Sequence, residues 1–144
     1  MKRKQSLYVA SAIVAVLLLS GWACQNNYAK AGQLAKDVAA SVLVAQQVEI
    51  QAHKAGFIDD TLHQAIQQEL LAVADAGTRL DAAINQAHNA SGALAEIQVM
   101  DKLLSDLSQG KLAAIKDQNT KIALAAAFLT IQTTLDNIAA FGGK

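Results

Sequence analysis

Seven residues, Ile66, Leu70, Val73, Gly77, Leu80, Ile84 and Ala87, follow one another along this chain at steps of four and three without a break. Such steps keep a stripe on one side of a helix with 3.6 residues per turn, and they do not fit the two-residue alternation of a strand. Nothing in the chain interrupts that geometry, because it contains no proline. A proline inside a helix removes a backbone donor and clashes with the preceding turn. Alanine and glutamine are abundant, and both lose little side-chain freedom on entering a helix. Apolar alternation between turn dipeptides, the mark of hairpins, is missing. The expected fold class is all-α.

The same pattern predicts three more helices. The first spans about 27–55, with Leu34, Val38, Ser41, Ala45, Val48 and Ala52 as its stripe and Val42-Leu43-Val44 widening it. Gly56 followed by Phe57 predicts its stop, glycine taking the left-handed C′ position. Asp59 or Asp60 is placed to cap the second helix, which Asn89-Ala90-Ser91-Gly92 should end. The third is short, 93–107, with Leu94, Ile97, Met100, Leu104 and Leu107 inward and Ser108-Gln109-Gly110 as a break. The fourth, 112–140, carries two seams. Leu112, Ile115, Asn119, Ile122, Ala126 and Leu129 form one; Phe128, Ile131, Leu135 and Ile138 form the other, predicting burial on two sides.

Connections of a few residues make sequential helices antiparallel neighbours. The expected architecture is an elongated antiparallel up-down helical bundle of three long helices and one short, over residues 24–144. Many seam positions are small (Ala45, Ala52, Gly77, Ala87, Ala126), so the core should be thin at about 25 cal/mol per Å² of apolar burial. Gly77 is read as a point of close helix approach. Asn119 either fixes register inside a seam or marks a rotation that exposes it.

The first two dozen residues follow different rules. Met1-Lys2-Arg3-Lys4 is basic, residues 7–19 are apolar apart from Ser11, and Ser20-Gly21-Trp22-Ala23-Cys24 precedes the polar run Gln25-Asn26-Asn27. This is the layout of a secretory signal. Cys24 is the only cysteine, so no internal disulfide can form. The segment resembles the signals of bacterial lipoproteins, in which a small residue precedes a cysteine that receives a diacylglycerol and becomes the first residue after cleavage. Ala23-Cys24 fits that pattern, with Gly21 where the class usually has an aliphatic residue. The resemblance covers residues 1–24 alone. It implies lipidation at Cys24, a signal peptide over 1–23 and a mature bundle domain over 24–144. Gln25, rather than aspartate, implies outer-membrane sorting facing the periplasm in a Gram-negative cell. Two other outcomes stay open. Residues 7–23 can act as an uncleaved anchor, an N-terminal helix just long enough to span with help from its flanks. Gly21-Trp22-Ala23 also suits an ordinary signal peptidase, which would release a soluble protein.

Charge narrows the partners. The twelve Lys/Arg balance the twelve Asp/Glu, but Lys2, Arg3 and Lys4 lie in the leader, leaving the remainder at about −3. Nucleic-acid binding needs a clustered basic face, and only Arg79 supplies a guanidinium beyond the leader. Asp75 and Arg79, four apart, are expected to pair on an exposed face. His53 and His63 flank the first loop, with Asp59 and Asp60 inside it. Histidine plus carboxylate can bind zinc or nickel, but this spacing matches no metal motif, and all three histidines including His88 read as surface residues near helix ends. Glu49, Glu69 and Glu96 lie far apart without helical pairing. Asp101, Lys102 and Asp106 read as a solvated face, and Thr130, Thr133 and Thr134 as back-bonding to their helix. No catalytic, cofactor or metal residue is assigned, and no enzyme activity. The expected role is structural or protein-binding at a membrane, through a partner or a second copy. The alternative is a bundle that takes a small ligand or metal between its helices.

Overall fold

The computed structural model describes residues 27–142. They form four helices and, among the described residues, no strand. We label them α1 (Asn27–Lys54), α2 (Asp60–Asn85), α3 (Ala90–Asp106) and α4 (Gln118–Gly142). Each helix packs on its neighbour in sequence, and α4 closes the ring against α1, its most extensive partner. The chain runs up, down, up and down around one core. At 1.5 Å per residue, α1 is about 42 Å long. The leader and Cys24 lie outside the described residues.

The ends of the helices follow local chemistry. Gly56 adopts a φ of +77°, its N–H reaching the His53 carbonyl at 2.9 Å while the Phe57 N–H reaches that of Ala52 at 2.9 Å. These two bonds make the glycine C-cap expected from sequence. Ile58 then covers the end at 2% exposure, whereas Phe57 is 51% exposed. Asp59 caps α2, its Oδ1 accepting from the Leu62 N–H at 2.8 Å. The second stop falls earlier than predicted. α2 ends at Asn85, which leaves Ala87 exposed and outside the stripe. Asn89 acts as the N-cap of α3, accepting from the Gly92 N–H at 2.9 Å. His88 turns the chain between them at a φ of 46°, and its ring meets the edge of Tyr28.

The largest departure lies beyond α3. Ser108-Gln109-Gly110 do not break the helix. Residues Leu107–Lys111 continue it as a π turn, with the Leu112 N–H bonded to the Leu107 carbonyl, and Leu112–Ala114 adds a last α turn. The reason lies in spacing. Leu104, Leu107, Leu112 and Ile115 are all buried, at steps of three, five and three. An α-helix would carry the residue five beyond Leu107 well round the cylinder. The wider π turn absorbs the extra residue and returns Leu112 to the core. The true break is at 115–117, where Ile115 is extended and Asp117 accepts from the Thr120 N–H at 2.7 Å.

This later start corrects the expected seams of α4. Thr120, Leu124, Ala127, Phe128, Ile131, Leu135 and Ile138 are buried, so the second seam is right, while the first splits: Leu112 and Ile115 are buried ahead of α4, and its later members turn away from the core. Ile122 and Leu129 are 57% and 63% exposed, and Asn119 is exposed too, which removes it as a register residue. Thr130 and Thr134 donate to the carbonyls four residues back, at 2.9 and 2.8 Å.

Gly77 is buried, but it is not a point of forced approach. A Cβ there would sit 3.7 Å from the Met100 methyl, an ordinary contact. The tight approach is at Gly32, where a Cβ would come 2.2 Å from Asn85 Oδ1. Gly77→Ala should therefore raise stability by about 1 kcal/mol, because alanine restricts the unfolded chain and meets no clash in the folded one. Thermal unfolding of the variant checks this; a lower Tm would mean that the helix pair cannot accept a methyl group.

Candidate functional site

α1 and α2 run antiparallel, so the last turns of one face the first turns of the other. Val38, Val42, Ala45 and Ala52 are buried along α1 at steps that make position 49 inward as well. The residue there is glutamate, and Glu49 has 0% exposure. Burying a carboxylate is costly unless donors replace its water. Two donors come from one face of α2, four residues apart. His63 Nδ1 lies 2.7 Å from Glu49 Oε1, and the Gln67 side-chain amide donates to Glu49 Oε2. A carboxylate oxygen accepts, so in this contact His63 donates from Nδ1 and its Nε2 is left to face other partners.

His53 sits one turn beyond Glu49 and stacks on His63, with ring centroids 4.0 Å apart and planes 3° from parallel. Its Nε2 is 2.8 Å from Asp60 Oδ1. A polar column thus runs inward from exposed Asp60 through His53 and His63 to Glu49. The sequence reading of His53 and His63 as surface residues is corrected: their side chains are 29% and 27% exposed and engaged with carboxylates. Asp59, the other acid of the loop, is spent on the α2 cap. Parallel imidazoles hold their in-plane lone pairs in separate planes, so the pair as placed does not converge on one ion. Among the described residues, no group of three His, Cys, Asp or Glu is placed to hold a metal.

The other two glutamates also pair across helices rather than standing alone. Arg79 Nε is 3.0 Å from Glu96 Oε2 on α3, replacing the expected Asp75 pair. The close Glu96 carboxylate, despite some desolvation, holds the guanidinium proton more tightly, and Asp75 contributes only through its field. Lys111 Nζ lies 3.7 Å from Glu69 Oε1, joining the π turn to α2.

Asp101 is not part of a fully solvated face. Partial burial, and then the carboxylate of Asp136 on α4, push its pKa upward. A raised carboxyl pKa means that the folded state binds the proton more tightly than the unfolded one. Its contribution to stability is therefore present at low pH and lost as pH rises through the folded pKa. Asp101→Asn should then be more stable than the parent at pH 7, by about a few tenths of a kcal/mol given solvent screening. The gap should close on acidification; urea titrations at pH 7 and pH 3 measure it.

An open groove of about 400 Å³ runs between α1 and α2, lined by Ala35, Ala39 and Leu43 on one side and Ala74, Gly77 and Thr78 on the other. Comparison with protein-family models, curated proteins and solved structures finds no match to this chain.

Proposed function

We propose that this chain is an exported helical bundle, held at a membrane by a lipid on Cys24 or by the retained leader, whose work is to bind protein. The observation that carries the binding role is the outer face of α4. Ile122, Ala125 and Leu129 are exposed on one side of that helix, while its opposite side is fully used against the core. An exposed aliphatic stripe beside a thin, alanine-rich core is poor use of scarce apolar residues unless something covers it. The anchoring role is supported by the basic, apolar and Ala23-Cys24 segments in succession. Several acyl chains on one N-terminus make a stable anchor, at about 0.8 kcal/mol per buried CH₂.

The test has two parts in one preparation. Intact-mass analysis of membrane-fraction protein should find an acylated N-terminus beginning at Cys24; a chain starting at Met1 would select the retained leader. Cytosolic protein with its leader intact would end the anchoring reading. In intact cells, a photocrosslinker at Leu129 should capture protein, and capture of nothing would end the binding reading.

A further inference from the structure

The outer face of α4 has an internal symmetry that names its occupant. Its exposed residues at steps of three and four are Gln118, Ile122, Ala125, Leu129, Thr133, Asp136 and Ala140. The only charged residues of the helix are Lys121 and Asp136. Lys121 lies eight residues before Leu129 and Asp136 seven after it, about 12 and 10.5 Å along the axis. Turning a second copy of α4 end for end about Leu129 therefore brings each lysine level with the other copy's aspartate. Neither residue has an ion-pair partner among the described residues.

We propose that two copies of this chain pair through the outer faces of α4, antiparallel about a two-fold axis at Leu129, with Lys121 of each copy against Asp136 of the other. Such an interface is isologous: one patch serves both partners and the assembly closes as a dimer. Leu129 packs on its own copy at the axis, Ile122 flanks each Lys121–Asp136 pair, and Ala125 lets the helix axes approach within about 8–10 Å. The charge of Asp136 also helps, after partial burial, to raise the pKa of Asp101 on α3, so a lysine from the second copy would offset that repulsion.

A lipid surface is the competing occupant. The segment Gln118–Phe141 has the length and apolar composition to cross a membrane. Much of that hydropathy belongs to the inward side, however, and Asp136 stands in the outward stripe. Against hydrocarbon the aspartate would be desolvated without a partner; against a second copy it meets a cation. One helix face falls at or below the roughly 1,200 Å² lower end of stable interfaces. The dimer should thus be weak in dilute solution and favoured by shared attachment to a membrane.

The proposal rests on the docking reading above, and its test separates the two. Full-length chains carrying Leu129→Cys are oxidised with copper phenanthroline in native membranes. Leu43→Cys, 59% exposed on α1, serves as the control, and the parent chain gives the background from Cys24. The expected result is a covalent dimer at Leu129→Cys well above both. In that background Lys121→Asp and Asp136→Lys each create two like-charge contacts and should lower the dimer yield about tenfold; combining them should restore it. Leu43, Leu129 and Asp136 are exposed and Lys121 is half-buried, and circular dichroism checks that the variants remain helical. A Leu129→Cys yield no higher than that of Leu43→Cys overturns the proposal, as does failure of the double reversal to rescue. A crosslink to a different protein overturns the second copy as occupant and leaves the docking reading intact. Labelling of position 129 by a photoactivatable lipid, with no protein adduct, overturns both.

Discussion

His63→Phe should lower the stability of the bundle by about 3 kcal/mol, while Glu49→Leu should change it by no more than about 1 kcal/mol. The asymmetry comes from which partner can reach water. Glu49 is wholly enclosed, so without the His63 N–H it keeps a desolvated oxygen that no solvent can serve. Phenylalanine preserves the ring stacked over His53 and blocks water from entering in its place. His63 and Gln67 are each partly exposed. When leucine replaces the glutamate, both can turn toward solvent, and the apolar side chain joins a core that already holds Ala45 and Ala52. His63→Ala should fall between the two, since the space it opens admits water to the carboxylate. Urea unfolding of the three variants decides the point. Equal losses for His63→Phe and Glu49→Leu would show that the ion and its donors contribute as a net favourable unit. For a domain whose total stability is of order 5–15 kcal/mol, the His63→Phe loss is large enough to lower the folded yield.

Why this cluster was hard to read in the sequence follows from a choice between two stripes. Leu34, Ser41 and Val48 with Val38, Ala45 and Ala52 make one path along α1. Val38, Val42, Ala45, Glu49 and Ala52 make another at the same four-three spacing, and that second path is the buried one. Accepting it required placing a glutamate in the core, which apolar patterning alone argues against. The signal lay in α2, where His63 and Gln67 sit four apart on the side that an antiparallel α1 would meet. The α2 stripe was legible from Ile66 to Ile84 because every position is apolar or small and faces inward. The α3–α4 junction misled for a different reason. A glycine beside polar residues reads as a stop, yet the five-residue gap between Leu107 and Leu112 holds an extra residue that a π turn accommodates. Moving the break to 115–117 leaves Leu112 and Ile115 in the core ahead of α4 and turns Asn119, Ile122 and Leu129 outward. The symmetric outer face emerges only after that rotation.

Phe128→Ala should cost about 4 kcal/mol, more than any other single truncation in α4. Phe128 is the only aromatic side chain wholly enclosed among the described residues, at 1% exposure. The size of the loss follows from the company it keeps. The buried core includes Ala31, Ala35, Ala45, Ala52, Ala76, Ala93 and Ala127. Alanines have no side-chain freedom with which to fill a vacated volume, so the cavity left by a benzyl group would persist rather than collapse. Phe128→Leu removes less volume and leaves a branched side chain that can shift, so about 1 kcal/mol is expected. The comparison is informative because the two variants have the same backbone, charge and exposed surface. If the cost of Phe128→Ala were near that of Phe128→Leu, the helices must close around the gap, and the close spacing set by small residues would be adjustable. A difference of about 3 kcal/mol would instead show that the alanines hold the helix axes at a fixed separation. The outer face of α4 could then present Ile122 and Leu129 as a rigid surface, set by the packing of its inner face.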